Sequence, residues 1–184
     1  MSVAVAKWAL DEYHSMIESG LLDGRSVELL NGEIVEMSPE GESHAYLSHE
    51  AAKYLGRLLG QQADIRQGKP ITISIGHSEP EPDIAVVQSL GREYLQHHPY
   101  PENIFWLIEF SDTSLSKDLE EKRKTYALAN IQEYWVVNLR DQQIIVFRHP
   151  MHSDYQTETR LTTGSLSPLA FPAMQISVQC LLEG

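Results

Sequence analysis

The chain has 184 residues, 42% of them apolar, which suits one domain with a real core and places residues 1–184 in a single unit. Acids outnumber bases 26 to 14, for a net charge of −12. This argues against sequence-independent gripping of nucleic acid by the whole surface, which draws its affinity from Lys and Arg on phosphates. The one cysteine, Cys180, allows no intrachain disulfide and no four-cysteine zinc site, and it fits a reducing cytoplasm. No run reaches the roughly 20 consecutive apolar residues of a membrane helix.

The opening MSVAVAKWALDEYHS lacks a basic start followed by an apolar run, so it reads as part of the domain rather than a signal peptide. Trp8 to Glu18 reads as a short helix ended by Gly20. VELLNGEIVEM follows, two alternating runs around Asn31-Gly32, the dipeptide that a type I′ hairpin turn favours because both central residues need positive φ. A helix is expected from about Ser43 to Leu59, with Leu47, Ala51, Tyr54, Leu55 and Leu58 at helical spacing and Gly60 as its stop. Segments 63–67, 70–75 and 82–87 read as strands.

IFWLIEFS (104–111) is almost unbroken in apolar character, as a strand buried on both faces should be. SKDLEEKRKTYALAN reads as a helix with Ser114 or Ser116 as N-cap and Asn130 as its stop. EYWVVNL and QIIVFRH form a second hairpin around Arg140-Asp141, and one or two short strands complete the chain. The order predicts an α/β fold: a central mixed β-sheet flanked by helices, with an added N-terminal β-hairpin.

Charged residues inside apolar strands stand out, because an unpaired buried carboxylate is costly. Asp83 opens PDIAVV, and Glu109 interrupts IFWLIEFS near its end. The period of two puts Phe105, Leu107, Glu109 and Ser111 on one face, and Asp83, Ala85 and Val87 on one face of their own strand. If these strands pair, two carboxylates meet at one end of the sheet, a donor set suited to Mg²⁺ or Mn²⁺. The plainer readings are a strand cap for Asp83 and a buried ion pair for Glu109. His44 lies on the same helical face as Leu47, Ala51 and Leu55 and is expected to point inward; its plainer reading is a satisfied semi-buried histidine. Lys122 shares a helix face with Tyr126, and its plainer reading is a surface pair with Asp118 four residues earlier. Lys117, Lys122, Arg123 and Lys124 form a candidate basic patch. Glu28 and Glu33, flanking the Asn-Gly turn, read as mainly structural, and Tyr134 and Trp135 read as core or interface. His97 and His98 sit in a Pro-flanked loop expected to be exposed.

EPDIAVV together with LIEFSDTSLSKDLEEKRKTYALANIQEYWVVNL resembles the Uma-two family of restriction-endonuclease-like proteins, grouped with the PD-(D/E)XK nucleases, and VELLNGEIVEMSPEGESH resembles the family's start. The resemblance implies a restriction-endonuclease-like core. Asp83 and Glu109 would be its metal ligands, Lys122 its catalytic lysine and His44 a further pocket residue. The general superfamily strand reads acid-x-Lys, whereas here Glu109-Phe110-Ser111 lacks that lysine. The family pattern carries a lysine on the following helix instead, where Lys122 stands. The implied activity is Mg²⁺- or Mn²⁺-dependent hydrolysis of nucleic acid, DNA first, leaving a 5′-phosphate end. A homodimer, which such folds commonly use to cut both strands, is compatible with this. The competing readings are a non-catalytic binding or regulatory module on the same fold, and an acidic domain that acts through protein partners.

Overall fold

The computed structural model describes residues 5–184, so the first four residues of the N-terminal stretch lie outside it. Helix α1 (Leu10–Glu18) leads into the hairpin β1 (Val27–Leu30) and β2 (Glu33–Glu36). At its tip Asn31 and Gly32 take φ of 49° and 75°, the type I′ conformation that the dipeptide predicts. A side chain at position 32 would also meet Lys7, whose Cβ lies 2.9 Å from where a Cβ would be.

Helix α2 (Glu42–Leu59) ends at Gly60, whose φ of 54° no β-branched residue would adopt readily. The main sheet then assembles from β3 (Asp64–Gln67), β4 (Ile84–Val87), β5 (Ile104–Ser111), β6 (Glu133–Asn138), β7 (Gln143–Met151) and β8 (Asp154–Leu161). Its spatial order is the sequence order, and only β5–β6 is a parallel pair. A parallel neighbour requires a crossover. Here that connection is helical: α3 (Leu115–Lys117), a π-turn (Asp118–Lys122) and α4 (Arg123–Leu128), stopped at Asn130 with φ of 60°. The small pair β9 (Ser165–Leu166) and β10 (Ile176–Ser177) and helix α5 (Val178–Leu182) close the chain.

Two apolar layers cover the sheet. Ala51 and Leu55 of α2 and Leu181 of α5 pack on Trp106, Ile108 and Trp135 on one face. On the other, Tyr126, Ala129 and Ile131 pack on Leu107, Tyr134, Val136 and Ile145. The sheet is therefore a mixed layer between helices, as the pattern predicts. Among the described residues no helix is long and apolar enough to cross a membrane.

Several local expectations are corrected. Segment 70–75 is not a strand. Ile71 and Ile73 are buried there, but only an isolated bridge from Ile73 to Ser78 forms, because Gly76 and His77 turn the chain at once with φ of 76° and 52°. Phe105 does not share a face with Leu107. A bulge at Val86/Val87 skips one residue of β5, and Phe105 packs on Phe171 with the opposite layer. His97 and His98 are half-buried, His97 stacking on Tyr100 at 4.5 Å. The C-terminal stretch holds a strand of eight residues and a helix as well as the short strands.

One buried carboxylate outside the cleft holds the sheet to its C-terminal cover. Glu133 Oε1 accepts from Trp135 Nε1 at 2.8 Å and from Arg148 Nε and Nη2 at 2.8 and 2.6 Å, while Oε2 accepts from the Leu169 N–H at 2.6 Å. Removing it strands several buried donors at once. Glu133→Ala is expected to cost about 3 kcal/mol in urea denaturation. A loss within about 0.5 kcal/mol, as at an ordinary surface site, would show that the network holds nothing.

Candidate active site

The register of β4 on β5 builds the site. Ile84 faces Ile108 and Ala85 faces Leu107, so one step further along the ladder Asp83 lies opposite Glu109 at the sheet's end. The start of α2, the β1–β2 hairpin and the α3–π-turn segment close around that end, leaving a cleft of about 870 Å³. Asp83, Glu109, Lys122 and His44 all line it. The structure thus brings the four sequence-predicted residues into one cavity.

Glu109 is 3% exposed. Its Oε1 accepts from Lys122 Nζ at 2.8 Å and from the Tyr126 hydroxyl at 2.9 Å. Its Oε2 has only a long contact, 3.4 Å from the Asp83 N–H. Burial pushes the Glu109 carboxyl up to about 8 against the opposing pull of Lys122, with the charges of Asp83 and Asp118 adding to the rise. Burial alone would lower the Lys122 pKa, but Glu109, Glu28 and Asp118 outweigh it and hold the ammonium protonated. The two shifts point upward for different reasons: burial dominates for Glu109, whereas the neighbouring acids dominate for Lys122.

Asp83 Oδ2 accepts from the Phe110 N–H at 2.6 Å and lies 3.0 Å from His44 Nε2. That approach does not have hydrogen-bond geometry, and His44 Nε2 is buried without a hydrogen-bond partner. Glu40, His44 and Asp83 offer one ligand atom each, all within 4.8 Å of one another. Donors about 2.1 Å from a six-coordinate ion stand about 3.0 Å apart in neighbouring positions, so the His44–Asp83 spacing is compatible with two ligands as well as with an ion pair. One nitrogen with carboxylate oxygens suits a divalent cation of the Mg²⁺, Mn²⁺ or Zn²⁺ kind. Burial would lower the His44 pKa, but the Asp83 charge beside it outweighs this and raises it.

Glu28, expected to be mainly structural, lines the cleft. It is 1% exposed, forms an ion pair with Lys117, lies 3.7 Å from Lys122 and accepts the Glu81 N–H at 3.1 Å through Oε2. The signal was present, because an acid inside the apolar run VELL is the same anomaly that marked Glu109. Glu40 carries no such signal, being an exposed acid in a loop.

Other expectations fail on burial. Lys122 and Asp118 are 5% and 2% exposed, so they are no surface pair. The basic patch does not form either. Lys117 is tied to Glu28, Lys122 to Glu109, and Arg123 to Asp154 at 3.2 Å, which leaves Lys124 as its exposed member. Tyr134 and Trp135 are fully buried, which bears out the core half of their reading and leaves no interface there. Ser114 precedes the helix, but its hydroxyl donates to Asp118 instead of accepting a helix amide.

The comparisons agree with this architecture. A crystal structure described as that of a putative nuclease belonging to DUF820 from Anabaena variabilis superposes with a TM-score of 0.71 over 95% of this chain and 97% of its own. At 17% identity that likeness concerns the fold. No match was found among curated proteins. The family model Uma2, described as "Putative restriction endonuclease", matches residues 10–179. With nearly the whole chain matched and a nuclease-like fold around the cleft, the chain belongs to the Uma2 family of putative restriction endonucleases.

Proposed function

We propose that the protein is a divalent-metal-dependent nuclease that hydrolyses phosphodiester bonds of nucleic acid, DNA first, at the Asp83–Glu109 end of its sheet. The carrying observation is that two carboxylates, a histidine nitrogen without a hydrogen-bond partner and a buried ammonium group line one cleft. Asp83 and Glu109, the latter through its weakly engaged Oε2, would hold Mg²⁺ or Mn²⁺, with His44 and Glu40 as further donors. Bound there, such an ion lowers the pKa of a water molecule and neutralises charge on the scissile phosphate. Lys122, kept protonated by its acidic neighbours, orients the attacking water and stabilises charge that develops on phosphate oxygens. Tyr126 shares Glu109 Oε1 with Lys122 and fixes the carboxylate's orientation.

A second reading has its own support. Six glutamates and three aspartates line the cleft against two lysines, and both lysines are already paired with acids. Such a lining repels phosphate until cations enter. A binding or regulatory module that takes up metal without turnover would be built in the same way.

The two readings separate in one experiment. Purified protein is incubated with DNA and RNA in Mg²⁺, Mn²⁺ or EDTA beside Glu109→Gln, Asp83→Asn and Lys122→Met. The nuclease reading expects cleavage that EDTA abolishes and a loss of at least about 100-fold in each variant. Metal binding by calorimetry, lost in Asp83→Asn, with no cleavage of any substrate would favour the module. Cleavage by Glu109→Gln at the wild-type rate would sink the assignment of the site.

The pKa directions give an independent check. A protonated His44 cannot ligate, so Mn²⁺ affinity should fall as the pH drops through its raised pKa, above the ordinary 6.5. In metal-free protein the sign reverses. The His44⁺–Asp83 contact contributes stability below pH 6.5 that is lost as pH rises through the folded-state pKa. Glu109, raised from 4.5 to about 8, costs stability as the pH climbs between those values. Metal-free thermal midpoints should therefore decline more with rising pH in the wild type than in Glu109→Gln. Parallel curves would mean that the carboxyl is not shifted in the fold.

A further inference from the structure

We propose that Asp118 is a positioning residue whose carboxylate, held by Ser111 and Ser114, keeps the helix beyond β5 in its π-turn and thereby aims Lys122 at Glu109. The proposal rests on the site reading above for the role of Lys122, but its geometry is independent of turnover.

The π-turn lies between the two buried charged residues of the segment, Asp118 and Lys122. Its mark is the Arg123 N–H, which bonds back five residues to the Asp118 carbonyl. Such turns are rare inside helices and need a cause. Two contacts supply it. Asp118 Oδ2 accepts from the hydroxyls of Ser111 and Ser114, each at 2.7 Å. Ser111 ends the strand that carries Glu109, two residues away, so this latch ties the start of the helix to that strand. On the next strand the Tyr134 hydroxyl donates to the Asp118 carbonyl at 3.2 Å.

Beyond the turn, Lys122 Nζ meets Glu109 Oε1 at 2.8 Å, and Tyr126 joins the same oxygen at 2.9 Å. Asp118, Lys122 and Tyr126 are 2%, 5% and 0% exposed, all turned toward the end of the sheet. A regular helix advances about 100° per residue. If the extra residue in the turn were absorbed, everything on one side of it would rotate by about that angle relative to the other. Either Asp118 would leave Ser111, or Lys122 and Tyr126 would leave Glu109. The latch holds the first pair, so the π-turn delivers the second.

The test reads the ammonium group directly. In ¹⁵N-labelled protein, a buried lysine held by a carboxylate gives a slowly exchanging Nζ resonance, assigned here by its absence in Lys122→Met. Wild type should show it. Asp118→Ala should lose it or shift it to the position of a solvated lysine while the amide spectrum stays dispersed, and Asp118→Asn, which still accepts from the serines, should restore it in part. Ser111→Ala/Ser114→Ala, which leaves the carboxylate in place without its donors, should weaken it in the same sense if Asp118→Ala does not fold. Where cleavage is measurable, kcat should fall by about 100-fold in Asp118→Ala at unchanged KM, as for a misplaced reacting group. A folded Asp118→Ala or Ser111→Ala/Ser114→Ala with the wild-type Lys122 resonance would overturn the proposal, as would its absence from the wild type. Lack of cleavage by the wild type would count against the nuclease reading alone, since the resonance needs no substrate.

Discussion

Lys122 and Glu109 face each other at 2.8 Å with both side chains almost wholly out of water, and the end of the sheet is arranged around that pair. An ion pair this deep is a poor source of stability, because desolvating two charges offsets most of what their attraction returns. Leucine-like side chains would hold β5 to its crossover helix at least as well. The pair therefore constrains everything near it. Tyr126 must supply a donor, Glu28 must sit close enough to balance Lys117 and Lys122, and Asp83 comes alongside with His44, not a lysine or arginine, as its partner.

That constraint accounts for the electrostatics of the cleft. Each lysine that reaches it is matched by an acid, Glu36 and Asp112 are paired with Arg25 and Arg140, and acids still outnumber bases in its lining. The His44 imidazole, raised by Asp83 against the effect of burial, reports the acidic surroundings, while the Glu109 carboxyl is raised first by burial, with Asp83 and Asp118 adding to the rise. A divalent cation between Asp83, His44 and Glu40 is the natural complement to such an excess. On the reading proposed above, such a cation would also give phosphate a point of attraction in a chain of net charge −12. The acidic composition and the nuclease-like fold are then compatible.

The crossover that makes β5 and β6 parallel sets the rest. Because the only parallel pair sits at the centre of the sheet, the helix joining its strands starts directly beside the strand end that carries Glu109. A lysine on this helix reaches the carboxylate from a direction that a lysine two residues along the strand would not use. On the proposed site reading, topology and helix register would let Lys122 stand in for the lysine missing from the strand.

Much was legible in the residues themselves. Asn31-Gly32 announced its hairpin, IFWLIEFS its place at the centre of the sheet, and the two acids in apolar strands their meeting point, because alternation and turn chemistry are local rules. Glu28, an acid inside the apolar run VELL, obeys the same rule. The bulge that turns Phe105 away from Leu107 and the π-turn at Asp118–Lys122 left no such mark. The sequence by itself determined which residues could not be ordinary: acids where only apolar side chains are stable. Tertiary structure alone decided which of them touch, since a one-residue bulge or an extra residue in a helical turn redirects side chains by a whole face, and only packing against distant strands selects it.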